Sequence, residues 1–181
     1  MECVVHPPVC VESAPASLKA MPGYKTQDRQ MSSLTDSSKT KIRLATAADA
    51  EDIARLSGQL GYPSTADEAL QRLQAINRYP EHAVFVAEAN GALAGWMHVF
   101  VRPSLTTPAS AELASLVVDE HCRSHGIGQA LISQAERWAV EQGCRMVTLR
   151  SNVKRLRAHA FYERLGYETI KTSKSLRKVL G

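Results

Sequence analysis

The sequence predicts an α/β (α+β) domain with a mixed, mostly antiparallel central sheet flanked by helices. Three observations predict it. Apolar residues switch between a spacing of two and a helical spacing, in the order β-α-α-β-β-β-α-β-α-β-β. Asn90-Gly91 sits between two strand-like runs, the favoured chemistry of a two-residue hairpin. A glycine-bearing turn then joins an apolar strand directly to a helix, and an apolar strand is one covered on both faces.

Taken in order, Lys41–Ala45 alternates and reads as a short strand. Thr46 and Asp49 offer N-caps, Ile53, Leu56 and Leu60 follow at helical spacing, and Gly61-Tyr62-Pro63 stops the helix. Thr65-Ala66-Asp67-Glu68 is a capping-box pattern for a second helix, with Ala69, Leu73 and Ile76 on one face. Ala83–Glu88 is a strand, Leu93–Val101 returns from the hairpin, and Pro103–Ala109 is a loop. Glu112–Val118 is the next strand, followed by a polar turn over Asp119–Gly128. Ile127, Leu131, Ala135 and Trp138 share one face of a helix that Gly143 stops. Met146–Leu149 is a strand, and Arg155–Leu165 is a helix closed by Gly166. Tyr167–Lys171 and Leu176–Leu180 read as a final strand pair.

A chain of 181 residues suits one domain. Residues 1–40 hold four of the eight prolines and six serines but only one of the ten aromatics, Tyr24. Such a stretch has too little apolar surface to offset the entropy of ordering, so a disordered tail is expected over 1–40 and the folded domain over 41–181. Met31 offers an alternative start to the chain. The apolar run Cys3–Val11 is broken by His6, Pro7 and Pro8, which makes a poor signal peptide, and no run is long enough to span a membrane. The four cysteines, Cys3, Cys10, Cys122 and Cys144, match no zinc spacing and are expected to be reduced thiols of a cytoplasmic protein. No metal is expected.

The net charge of +4 conceals an asymmetry. Residues 150–181 carry nine Lys/Arg against Glu163 and Glu168, so this quarter alone is +7. That suits a phosphate-bearing ligand. No interleaving of aromatic and basic residues accompanies the charge, so no nucleic-acid partner is expected.

Arg123-Ser124-His125-Gly126-Ile127-Gly128 lies between the apolar strand and the helix. The N–H groups of a helix's first turn are unsatisfied and carry a partial positive charge. Glycines let the backbone approach a diphosphate closely there. The spacing R-x-x-G-x-G is neither the P-loop nor the dinucleotide-binding G-x-G-x-x-G.

This turn resembles the acyl-CoA pyrophosphate loop of the Gcn5-related N-acetyltransferase (GNAT) family, whose pattern is [R/Q]-x-x-G-x-[G/A]. Leu116-Val117-Val118-Asp119 is similar to that family's fourth strand, and Ala158 to Tyr167 to its A-x-x-F-Y-x-x-x-G-[F/Y] element. The motif resemblance covers about residues 112–167. Within the family, the run Ser151–Arg155 through His159 is similar to aminoalkylphosphonate N-acetyltransferases and unassigned bacterial relatives.

The resemblance implies a GNAT fold, acetyl-CoA as co-substrate and transfer of acetyl to a primary amine by direct attack in a ternary complex. It implies that the backbone of Leu116, Val117 and Val118 pairs with the pantetheine arm, one N–H polarising the thioester oxygen. It places the diphosphate on the N–H groups of Ser124, His125, Gly126, Ile127, Gly128 and Gln129, with Arg123 anchoring the loop or touching phosphate. Asn152 would bond the pantetheine amides, and Lys154, Arg155 and Arg157 are candidates for the adenosine phosphate. Tyr162 matches the family's proton donor to the leaving thiolate. Glu112 is the candidate base, directly or through water, because it begins the strand lining the cleft.

The sequence departs from the family at two places. Relatives often carry a second carboxylate where Ala114 or Ser115 stands, and a second Asn where Arg155 stands. His98 and His159 are alternative proton shuttles. Cys122 lies beside the loop without a paired base. The expected acceptor is a small-molecule amine, with the helix pair over 47–77 and the loop Pro103–Ala109 shaping its site. A protein lysine or N-terminal acetyltransferase and a non-catalytic acyl-CoA-binding regulatory module stay open as alternatives. A homodimer through the last strands is the family's habit.

Overall fold

A computed structural model describes residues 40–180. The tail expected over 1–40 therefore lies outside the described residues, apart from Thr40, which opens the first strand. Five strands form one sheet in the order β1 (Thr40–Leu44), β2 (His82–Ala89), β3 (Ala92–Arg102), β4 (Ser110–Val118) and β5 (Val147–Leu149). The first three pairings are antiparallel and β4–β5 is parallel. The sheet is thus mixed and mostly antiparallel, as the order of elements predicts.

Alternation along the strands divides the core in two. Val84, Val86, Trp96 and Val117 face α1 (Ala50–Leu60) and α2 (Ala66–Ile76), where Leu56 and Leu73 bury their side chains. Phe85, Met97, Val99 and Leu113 face α3 (Ile127–Glu141), which contributes Leu131, Ile132 and Ala135. A fourth helix, α4 (Leu156–Arg164), follows β5, and its Phe161 and Tyr162 pack at the edge of this second core.

Local chemistry places the helix ends. Thr65 and Glu68 form the expected capping box: the Glu68 N–H donates to Thr65 Oγ1 at 3.2 Å and the Thr65 N–H to Glu68 Oε2 at 3.0 Å. Asp49 does more than cap. Its Oδ2 accepts from the Thr46 N–H at 2.7 Å, while Arg43 grips both carboxylate oxygens at 2.7 Å and reaches Glu88 at 2.6 Å. These bonds tie the start of α1 to β1 and β2.

The expected final strand pair is not formed. Residues 167–180 hold no regular element, and Ile170, Leu176, Val179 and Leu180 are exposed. A strand needs a ladder to join, and β5 offers only three residues of edge. The segment also carries Lys171, Lys174, Arg177 and Lys178, whose mutual repulsion opposes a compact hairpin. Its anchor lies at its start, where the Tyr167 hydroxyl donates to Glu136 of α3 at 3.0 Å.

Two irregularities in β4 position the site. Ser115 pairs with His98 and Leu113 with Val99, so Ala114 is an extra residue, a bulge that turns the strand. On its other side β4 pairs with β5 only at Ala111, Glu112 and Leu113. From there the two strands part.

Candidate active site

The gap between the parted strands opens a cleft of about 1390 Å³. Leu113–Val118 form one wall and Leu149–Asn152 the other, with the start of α3 at one end and α4 alongside. Beyond Leu113 the outer edge of β4 has no strand partner among the described residues, so alternate N–H and C=O groups between Ala114 and Val118 face the cleft. An extended ligand bearing amides can take the place of the missing strand. The expected contact residues Leu116, Val117 and Val118 all lie on this edge.

The same strand leads into the α3 N-terminus. Gly126 caps it with φ of +79°, a left-handed conformation that disfavours a side chain. The Ala130 N–H closes the first helical bond onto Gly126 at 2.9 Å, leaving the N–H groups of Ile127, Gly128 and Gln129 without helical partners. No acidic residue stands in that turn to repel an anion. Arg123 donates from Nε to the Val118 carbonyl at 3.3 Å, which joins the loop to β4. Arg157 of α4 reaches Ser124 Oγ at 3.5 Å. Ser124, Gly126, Ile127, Gly128 and Gln129 line the cleft; His125 is exposed and does not. Lys154, Arg155, Arg157 and Arg164 also line it, so the wall of the cleft is cationic where a polyphosphate would lie.

Asn152 Oδ1 accepts from the Lys154 N–H at 2.9 Å and so shapes the turn into α4. Its side-chain NH2 is the group left for a ligand. Arg155 reaches across the cleft, donating to the Leu60 carbonyl at the end of α1 at 3.1 Å. Tyr162, in the last turn of α4, lines the cleft and packs edge-on against Phe161 and Tyr167. Burial pushes its phenol pKa up, and the Arg155 charge pulls the other way. The phenol therefore keeps its proton at neutral pH, the state a proton donor needs.

Glu112, the candidate base, lies near the start of β4. It is buried and is absent from the residues lining the cleft. Arg102 Nε lies 3.1 Å from one carboxylate oxygen, and Arg150 engages the other through Nε at 3.0 Å and through a second guanidinium nitrogen. Both oxygens are thus committed to guanidinium groups, and the carboxylate ties β3 and the end of β5 to β4. These partners lie on other elements, the nearest ten residues away in sequence, which no local pattern reveals.

A second, smaller cavity of about 200 Å³ lies between α1, α2 and the sheet, and shares Leu60, Tyr62 and Ser115 with the main cleft. Ile53, Leu73, Ile76, Val84 and Trp96 supply apolar wall. His98 also lines it, with Nε2 3.0 Å from Nδ1 of His82. Burial, aided by the His82 charge, lowers His98 to about 4, so it is neutral near pH 7. Ile53, Leu60, Leu73 and Ile76 read in the sequence as faces of the helix pair, and His98 as a candidate proton shuttle. Trp96 and Tyr62 read there as an ordinary strand residue and a helix stop. Among the described residues no group of three or more His, Cys, Asp or Glu is placed to hold a metal. Cys122 and Cys144 are free thiols, the latter buried.

The sequence profile of the acetyltransferase (GNAT) family matches residues 48–167. Aminoglycoside N(6')-acetyltransferase type 1 of Stenotrophomonas maltophilia is 32% identical over 132 residues, 70% of this chain and 85% of that protein. The uncharacterized N-acetyltransferase YhfO of Bacillus subtilis is 30% identical over 136 residues, 70% of this chain and 89% of its own. Among solved structures, AAC(6')-Iy in complex with a CoA-linked bisubstrate analog superposes with a TM-score of 0.71 at 22% identity, covering 79% of this chain and all of that one.

Proposed function

Because the chain belongs to the GNAT acetyltransferase family and is an acetyl-CoA-dependent N-acetyltransferase acting on a small-molecule amine, we propose a division of labour among its residues. The pantetheine arm lies along the free edge of β4, Leu116–Val118, and the diphosphate sits on the N–H groups of Ile127, Gly128 and Gln129. The observation that supports this most is the continuity of the two: an unpaired strand edge runs through an Arg123-anchored loop into a glycine-bearing helix N-terminus. Both are donor-rich, and both line one cleft.

The amine attacks the thioester carbon directly. A backbone N–H of β4 stabilises charge building on the thioester oxygen, and Tyr162 donates its proton to the departing thiolate. The amine must first lose its own proton, since an ammonium has no lone pair. With both Glu112 oxygens held by arginines, we assign that step to water in the cleft rather than to direct contact with Glu112. The proposal places the reaction in the cytoplasm.

The test is thiol release from acetyl-CoA with a panel of amines, comparing wild type with Tyr162→Phe. Amine-dependent release that drops sharply in the variant supports the assignment. Acetyl-CoA binding without turnover on any amine or Lys peptide indicates a regulatory acyl-CoA-binding module. Full activity in Tyr162→Phe overturns its role as acid.

A further inference from the structure

We propose that the acceptor is a monoamine with an apolar body, and that the cavity between α1, α2 and the sheet, where the helix pair is expected to shape the acceptor site, rejects polycationic amines. The inference rests on the transferase reading above and specifies its acceptor.

Position is the first argument. The cavity joins the main cleft at Leu60, Tyr62 and Ser115. Ser115 directly precedes Leu116, where the free edge assigned to the pantetheine arm begins. An amine held in the cavity therefore points its nitrogen at the part of the cleft where the thioester is to be placed.

Charge is the second. Among the described residues the only charged side chain lining the cavity is Arg72, at its exposed rim and 3.7 Å from Glu68. Among the described residues no carboxylate lines either cavity. The buried carboxylates Asp49, Glu112 and Asp119 are each held by arginine and face elsewhere. His98 is neutral and supplies no counter-charge. An amine with one ammonium loses its charge before attack. A spermidine or an aminoglycoside brings further ammonium groups that would leave water with no anion to meet them.

Size and lining are the third. A cavity of about 200 Å³ is below the roughly 300–1,000 Å³ of drug-sized ligand sites, and its wall is mostly aliphatic and aromatic. The indole N–H of Trp96 is buried in this region with no partner among the described residues. A ligand with a hydrogen-bond acceptor on its apolar end gains by reaching it.

The experiment measures kcat/KM for 2-phenylethylamine, spermidine, kanamycin and 2-aminoethylphosphonate, with acetyl-CoA affinity measured separately by calorimetry. The expected result is a preference for 2-phenylethylamine over each of the others by about 100-fold or more. Ser57→Asp, which adds a carboxylate to the wall, is expected to narrow the gap to spermidine by at least about tenfold while leaving acetyl-CoA affinity unchanged. Equal or better use of spermidine, kanamycin or aminoethylphosphonate overturns the inference, as does turnover of none of the four by a protein that binds acetyl-CoA. Failure of the underlying reading has a different signature, the absence of acetyl-CoA binding.

Discussion

Gly128 of α3 lies so close to Phe161 of α4 that a β-carbon on it would stand 3.2 Å from the ring. The glycine-bearing turn at the start of α3 and the helix bearing Tyr162 are therefore packed as one unit. Gly128→Ala should push Phe161 by a few tenths of an ångström and carry Tyr162 with it. The expected outcome is a fall in kcat of about tenfold with little change in thermal stability, read by steady-state kinetics and calorimetry. Gly126→Ala acts differently, because Gly126 holds a φ of +79°. It should cost about 1 kcal/mol of stability and weaken acetyl-CoA binding.

Tyr162→Phe should lower kcat by about 100-fold or more and leave the acetyl-CoA dissociation constant almost unchanged, since it removes a proton and not a binding surface. Burial raises the phenol pKa, so the protonated form extends above the ordinary tyrosine range. Wild-type kcat should show no descending limb from Tyr162 below pH 10, and a pH–rate profile checks this.

The Asp49 ion pair should appear in the acid stability of the domain. Arg43 is the largest cause that lowers its pKa, from 3.8 to about 2. A carboxylate with a depressed folded pKa stabilises the fold fully above its unfolded value. That contribution is lost as pH falls from about 4 towards 2, and it amounts to on the order of 2 kcal/mol. Asp49→Asn should lower Tm at pH 7 and flatten the fall in Tm between pH 5 and pH 2.5. Thermal melts across that range provide the measurement.

Glu112→Gln should lower stability and keep the ascending limb of the pH–rate profile in place, because the carboxylate anchors Arg102 and Arg150 instead of meeting the amine. Loss of that limb in Glu112→Gln, with Tm unchanged, would restore Glu112 as the base.

Much of this was legible from spacing alone. Capping residues, the Asn90-Gly91 hairpin and the helix stops at Gly61, Gly143 and Gly166 are local signals, and the chain obeys them. The turn from Arg123 to Gly128 was legible because its chemistry is also local: two glycines at the mouth of a helix. The parting of β4 from β5 was not, because the Ala114 bulge is a matter of register against His98 and Val99 on another strand. The ion pairs of Glu112 were hidden for a related reason. A carboxylate opening a strand reads as available until Arg102 and Arg150 are brought to it by folding. The final strands over 167–171 and 176–180 had the right alternation, but alternation does not supply an edge to pair with.

Amide hydrogen exchange with and without acetyl-CoA tests the central claim most directly. The account predicts new protection at two separated stretches, Leu116–Val118 on the free edge of β4 and Ile127–Gln129 at the start of α3, with α2 unchanged. Binding that protects neither stretch, or no binding at all, would contradict it.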